Sequence, residues 1–203
     1  MGIKEKRARY KEEFRREILD AARELFITEG YEKFSMRRLA EKIDYSPTTI
    51  YLYFRGRDDL LFAICEEFFG NFSAQLDRIR TVFPQDPVET LRHALLHLMN
   101  FGLENPNQYK LIFFTKSVYG TREELVKKES MARNTYFALK EMVQDCIDAG
   151  ELKDMDVEVM VDTLAIASHG LIAKTIYGAT VPKDRSGTVA LTLADVLLQG
   201  YRK

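Results

Sequence analysis

Between Tyr10 and Glu29 the apolar residues Phe14, Ile18, Ala21, Ala22, Leu25 and Phe26 recur three and four apart, which predicts an amphipathic helix stopped by Gly30. Ser35 can cap a short second helix, Met36 to Ile43, that turns Leu39, Ala40 and Ile43 inward. After a turn through Asp44 and Tyr45, Ser46 stands as N-cap and Pro47 as first residue of a third helix reaching about Phe54, before Gly56. Asp58 and Asp59 suit the first turn of a long fourth helix to about Arg80, because carboxylates there complement the helix dipole.

The same start signals recur downstream. Asp86-Pro87-Val88-Glu89 opens a fifth helix over about 87–104, and Asn105-Pro106 opens a sixth. Thr121-Arg122-Glu123-Glu124 is a capping box for a seventh that reaches Ala149, with Gly150 as its stop. Asp156 can cap an eighth helix to about Tyr177, and a ninth covers about 186–202. No segment alternates convincingly as a strand. The predicted fold is all-α with about nine helices, divided into a head over 1–56 and a body over 57–203.

With 203 residues, 46% of them hydrophobic, the chain can bury a real core, and disordered or fibrous classes are excluded. Its longest uncharged stretches, such as Thr163 to Ala173, fall short of the roughly 20 apolar residues a membrane span needs. The charged N-terminus does not read as a secretory signal, so a cytoplasmic protein is expected. Cys65 and Cys146 read as buried thiols, a single disulfide being the alternative. The net charge of -1 hides a division: residues 1–57 carry 14 Lys and Arg against 10 Asp and Glu, and the remainder carries 16 against 21. A basic head on an acidic body fits a nucleic-acid contact surface at one end.

The short pair Met36–Ile43 and Pro47–Phe54, joined by a tight turn behind a supporting helix, has the spacing of a helix-turn-helix. Its second helix can enter a major groove, with Thr48 and Thr49 at base edges, Tyr51 and Tyr53 on phosphates, and Arg37 within reach of guanine. Arg55, Arg57 and the arm Lys4 to Arg9 would add phosphate contacts.

From Ile18 to about Leu60 the wording resembles the DNA-binding domain of the tetracycline-repressor (TetR) family, a domain that would reach about 12–72 here. The resemblance rests on A-x-x-L-F at Ala22–Phe26, Gly30-Tyr31, R-x-L-A at Arg37–Ala40 and I-Y-x-Y-F at Ile50–Phe54. Near Pro47-Thr48 the family commonly carries a small residue or glycine, a departure that bears on which operator is read. The resemblance implies groove contacts from Arg37, Pro47, Thr48 and Thr49 and phosphate contacts from Tyr51, Tyr53 and Arg57. Ser35, Arg38, Ser46 and Arg55 complete the candidate DNA-binding set. Leu52, variable in the family, is expected either to be exposed at the groove edge or to pack on the first helix, packing being the favoured reading. The resemblance also implies a ligand-responsive regulator, a repressor in most members, with an effector pocket in the body for an apolar or amphipathic molecule.

Phe101, Tyr109, Phe113, Phe114, Met131 and Tyr136 are the candidate lining of that pocket, together with Phe137 and with His169, which interrupts an apolar helix. His93 and His97 share a helical face without a third ligand, so they read as structural; neither a metal nor a cofactor is expected, and catalysis is not. The last two helices are apolar on more than one face, which predicts a homodimer through residues such as Leu164, Ala167, Leu171, Leu193 and Leu197. Two heads on a two-fold axis would read successive major grooves of a pseudo-palindromic DNA operator. The alternatives are a DNA-binding regulator governed by a protein partner, and a helical-bundle enzyme or metal-binding protein.

Overall fold

The structure, a computed structural model, describes residues 2–115, 118–178 and 180–203. Among them run ten α-helices: α1 (Ile3–Glu29), α2 (Met36–Lys42), α3 (Pro47–Tyr51), α4 (Arg57–Val82), α5 (Pro87–Glu104), α6 (Pro106–Phe113), α7 (Arg122–Lys127), α8 (Met131–Asp148), α9 (Val157–Tyr177) and α10 (Lys183–Tyr201). A 3₁₀ turn at Tyr31–Lys33 follows α1, and an isolated bridge pairs Leu152 with Arg202.

Several boundaries depart from the sequence expectation for local reasons. α1 starts at Ile3 because the Glu5 carboxylate accepts the Gly2 N–H at 2.7 Å, so the basic segment Lys4–Arg9 is a helical extension and not a separate arm. The expected seventh helix is two: the backbone turns extended at Lys128, and Ser130 starts α8 by accepting the Arg133 N–H at 3.1 Å. Glu66 of α4 reinforces that start. Its two carboxylate oxygens accept the Met131 N–H at 3.1 and 2.9 Å, and the Tyr119 hydroxyl donates to it at 2.9 Å. α3 is little more than one turn and ends before Phe54.

Two hydrophobic cores organise the helices. In the head, Ile18 and Ala22 of α1, Leu39 of α2 and Ile50 of α3 close on Leu60, Leu61 and Ile64 of α4. In the body, Leu76 of α4 joins Leu91 and Met99 of α5, Met142 of α8, Met160 of α9 and Ala194 of α10. α4 therefore belongs to both cores: its stretch to Cys65 is embedded in the head, and Phe68 to Ile79 are embedded in the body. Leu111 of α6 also enters the head core. Cys65 and Cys146 lie in different cores as free thiols, which removes the disulfide alternative, and burial pushes both up to about 12.

By length and composition, α9 alone among the described residues could cross a membrane. Here Met160, Val161, Leu164, Leu171 and Ile172 are buried, and the helix packs on α5, α8 and α10. Its approach to α5 is tight: a Cβ at Gly102 would lie 2.7–3.0 Å from the side chain of the fully buried Ile172. Gly102→Ala gains helix propensity but overpacks this crossing, and the net expected change is a loss of about 1–2 kcal/mol. A lower urea midpoint with an unchanged m-value would show it; a midpoint at or above that of the parent would overturn it.

Candidate functional site

The DNA-reading candidate is built from two caps and a turn. Ser35 Oγ accepts the Arg38 N–H at 3.2 Å to start α2, and Ser46 Oγ accepts the Thr49 N–H at 3.1 Å to start α3. Between them Asp44 takes the left-handed conformation at φ 58°, which a short polar side chain tolerates, and the chain reverses onto the buried Leu39, Ala40 and Ile50. Pro47, Thr48 and Tyr51 are left exposed, and their spacing puts Tyr51 on the same side of α3 as Pro47 and Thr48.

The remaining candidates divide by what they touch. Arg37 is 84% exposed, and its Nε meets Glu41 at 3.0 Å, an exposed pair that DNA could open at little cost. Arg38 reaches back to Glu29 at 2.6 Å, tying α2 to the end of α1. The Ser46 and Thr49 hydroxyls lie 2.9 Å apart, so both serve the cap. The Tyr53 ring packs edge-on against Phe14 at 5.1 Å. The Arg57 guanidinium lies 4.5 Å from the Tyr31 ring centroid, near Glu32 and Asp58. The Arg55 side chain is exposed while its N–H donates to Asp59 at 2.9 Å. Leu52 takes the exposed one of its two expected placements and corrects the favoured one: it is 77% exposed, because α3 ends beside it and the chain turns its side chain outward.

The body encloses an apolar cavity of about 100 Å³ between α4, α5, α8 and α9. Of the expected lining, Phe113 and His169 border it. The other candidates are elsewhere: Phe101 packs on the outer side of Phe68 at 4.6 Å, Tyr109 is fully buried beneath His169, and Phe114 is 49% exposed. Met131 sits at the α8 N-terminus against Gly70, while Tyr136 and Phe137 lie beside Arg122, Arg133 and Lys140. The reason is angular: on α8 it is Thr135, Leu139 and Val143, spaced four apart, that face the cavity. The sequence reading missed the α4 wall, Phe68, Phe69 and Phe72, although their spacing along the helix marks an inward stripe.

Polar lining is sparse. The Thr135 hydroxyl donates to Met131 O at 2.9 Å, and His169 Nδ1 is hydrogen-bonded to the Tyr109 hydroxyl. Burial raises the Tyr109 phenol and lowers His169 from its ordinary 6.5, so both are neutral near pH 7. His97 is likewise lowered by burial, against an opposing pull from Glu104. His93 and His97 stack on Phe83 and Phe72 at 4.5 and 5.0 Å, which is a packing role for both.

These shifts have a measurable consequence. Just below pH 6.5 the unfolded chain, with ordinary histidines, binds more protons than the folded one, so stability falls as pH drops through that range. The double variant His97→Gln/His169→Gln is expected to flatten this fall between pH 6.5 and about 5.5, as read by thermal unfolding at closely spaced pH values. A slope equal to that of the parent would refute the assignment.

The outward face of the last two helices also differs from expectation. Leu164 borders the cavity, Leu171 is buried in the body core, and Ala167, Leu193 and Leu197 are half-buried, so none of these is a freely exposed contact. The exposed apolar residues are Val159, Ile166 and Tyr177 on α9 and Leu191 and Val196 on α10. Val159, Ile166 and the open Gly170 fall on one stripe, displaced around the helix from the leucines that the internal core claims first.

A capped helix-turn-helix head, tied by one long helix to a helical body with its own apolar cavity, defines a DNA-binding transcriptional regulator. Residues 18–64 match the family described as bacterial regulatory proteins, tetR family. The head of the chain belongs to that family. It is 25% identical over 166 residues to the HTH-type transcriptional regulator AcrR of Shigella flexneri, a match covering 80% of this chain and 76% of the relative. A transcriptional regulator of the TetR/AcrR family from Thermobifida fusca superposes with a TM-score of 0.67 at 25% identity, covering 94% of this chain and all of the other. FadR from Bacillus subtilis, solved in complex with stearoyl-CoA, shares the fold with a TM-score of 0.74 at 18% identity, covering 92% and 98% of the two chains.

Proposed function

We propose that this regulator acts in the cytoplasm as a homodimeric repressor, released from a pseudo-palindromic operator by a small apolar or amphipathic effector. The observation that carries the reading is the position of α4. Phe68, Phe69 and Phe72 wall the cavity, while Leu60, Leu61 and Ile64, about one to three turns earlier on the same helix, are locked in the head core. An occupant that displaces those rings must move the helix or strain it, because packed cores shift between discrete arrangements. If the effector prefers the displaced arrangement, linkage requires it to weaken operator binding by the same factor.

Residues 1–56 serve as the reading head and 57–203 as the effector-binding and dimerising body, with α4 shared between their cores. Arg37, Pro47 and Thr48 make the groove contacts; Tyr51, Arg55 and the helical extension Lys4–Arg9 supply phosphate contacts, for which their exposure suits them. The exposed stripe of α9 and α10 is the dimer face. Stearoyl-CoA on a relative of the same fold supports an effector with an apolar chain, although the cavity here is small enough that such a chain must widen it.

Selection from a random duplex pool with the purified protein tests the reading. Enrichment of a pseudo-palindrome with half-sites about 10 base pairs apart, bound with a steep salt dependence, is the expected result. Enrichment of single half-sites would overturn the dimer, and failure to enrich any sequence would overturn operator recognition by the head.

A further inference from the structure

We infer that the effector site has a second, polar compartment, and that together the two hold an amphiphile with an anionic head. The inference rests on the effector reading above. On the outer side of Phe68 and Phe72 lies a groove of about 540 Å³ between α1, α4, α5 and α6. These two rings border both spaces, the apolar cavity on one side and the groove on the other. They form a partition one side chain thick. On the groove side Phe72 stacks on His97 at 5.0 Å and Phe68 lies 4.6 Å from Phe101.

The groove offers hydrogen-bond donors that the protein itself does not use. Asn71, Gln75 and Arg78 follow one another four and three residues apart on α4, and so form one stripe. Gln108 of α6 faces the same space. Among the described residues none of these four side chains has a hydrogen bond or ion pair. Arg23 closes the groove from α1. It is already paired with Asp20 at 2.7 Å and Glu67 at 2.8 Å, and its buried Nε has no partner among the described residues. Asp20 and Glu67 both pair with Arg23, and burial lowers His97 against the pull of Glu104, so Arg78 is the cation lining the groove that has no ion pair among the described residues.

A guanidinium amid spare amide donors is complementary to a carboxylate or another small oxyanion. The cavity beyond the partition is lined almost wholly by carbon and takes an alkyl tail. Rotation of Phe72 away from His97 would join the compartments, so a molecule with both parts binds across the partition and one with either part alone binds on one side of it. Because both rings belong to α4, occupancy across the partition bears directly on the helix that holds the head.

Calorimetric titration of the full chain with octanoate, octanol and octyltrimethylammonium, which share a tail and differ in head, separates the alternatives. Octanoate is expected to bind at least about tenfold tighter than the other two, as one charge-assisted contact allows. Affinity is expected to rise about fourfold per methylene from butanoate to octanoate. Arg78→Gln should abolish the head preference and keep the chain-length dependence. Ala165→Phe, which fills the cavity, should abolish the chain-length dependence, and Ala94→Val, a milder filling, should reduce it if the larger substitution disturbs folding. Equal affinity for octanoate and octanol, or an unchanged preference in Arg78→Gln, overturns the anionic compartment while leaving the cavity intact. Absence of binding by all three probes, or chain-length dependence untouched by either filling, overturns the effector cavity itself.

Discussion

Ile166→Glu combined with Val196→Glu will leave the protein monomeric and lower its affinity for the selected operator by a hundredfold or more. Ile166 is 71% exposed and Val196 62% exposed, so neither substitution disturbs the cores. In a two-fold assembly each glutamate occurs twice, and four carboxylates would have to lose water beside one another without partners. A monomer keeps a single reading head and forfeits the gain from linked half-sites, which is typically 10²–10⁴ in affinity. Sedimentation shows the state of association, and fluorescence anisotropy with labelled duplex shows the affinity. A variant that stays dimeric and binds as the parent does would place the dimer face elsewhere.

Arg37→Ala is the second large effect, and it is expected on DNA binding alone. Its ion pair with Glu41 is exposed on both sides, and a pair of that kind contributes little to stability, so the unfolding midpoint should be nearly unchanged. A bidentate contact to guanine is worth about 1–3 kcal/mol, and a dimer makes it twice, so operator affinity should fall by roughly 30-fold to 10⁴-fold. Specificity should relax at one symmetric base pair in each half-site and be retained elsewhere. Arg55→Ala, by contrast, should weaken binding uniformly and lower the salt slope by about one per protomer. Operator affinity within twofold of the parent in Arg37→Ala would remove this residue from the reading surface.

Much of the head was legible in the sequence because its signals are local. Ser35, Ser46 and Pro47 act within one turn of where they stand, and the structure uses both serines as caps. Leu52 shows the boundary of that legibility. Whether it packs or projects depends on where α3 ends relative to α1, a non-local fact, and it projects. The split of the expected seventh helix has a similar origin, since Glu66, sixty-five residues before Met131, reinforces the start of α8.

The cavity was the least legible part. An aromatic residue on an amphipathic helix faces inward in either case, and periodicity does not say whether the interior beside it is filled or empty. Phe101 and Phe113 are near neighbours of the same ring, Phe68, yet only Phe113 borders the cavity. Leu164 and Leu171 belong to the same ambiguity: an apolar face can be spent on the chain's own core or on a second copy, and the core took them.

By itself the sequence determined most of the helices, the serine caps of α2 and α3, the helix-turn-helix and its resemblance to a family of regulators, because each depends on residues within a turn or two of one another. Tertiary structure alone decided that α4 serves two cores, that its phenylalanines stand between an apolar cavity and a polar groove, and which stripe of α9 and α10 is left outward. Those outcomes depend on how helices rotate and cross when they pack, and a periodic pattern constrains the width of an apolar face without naming its neighbour.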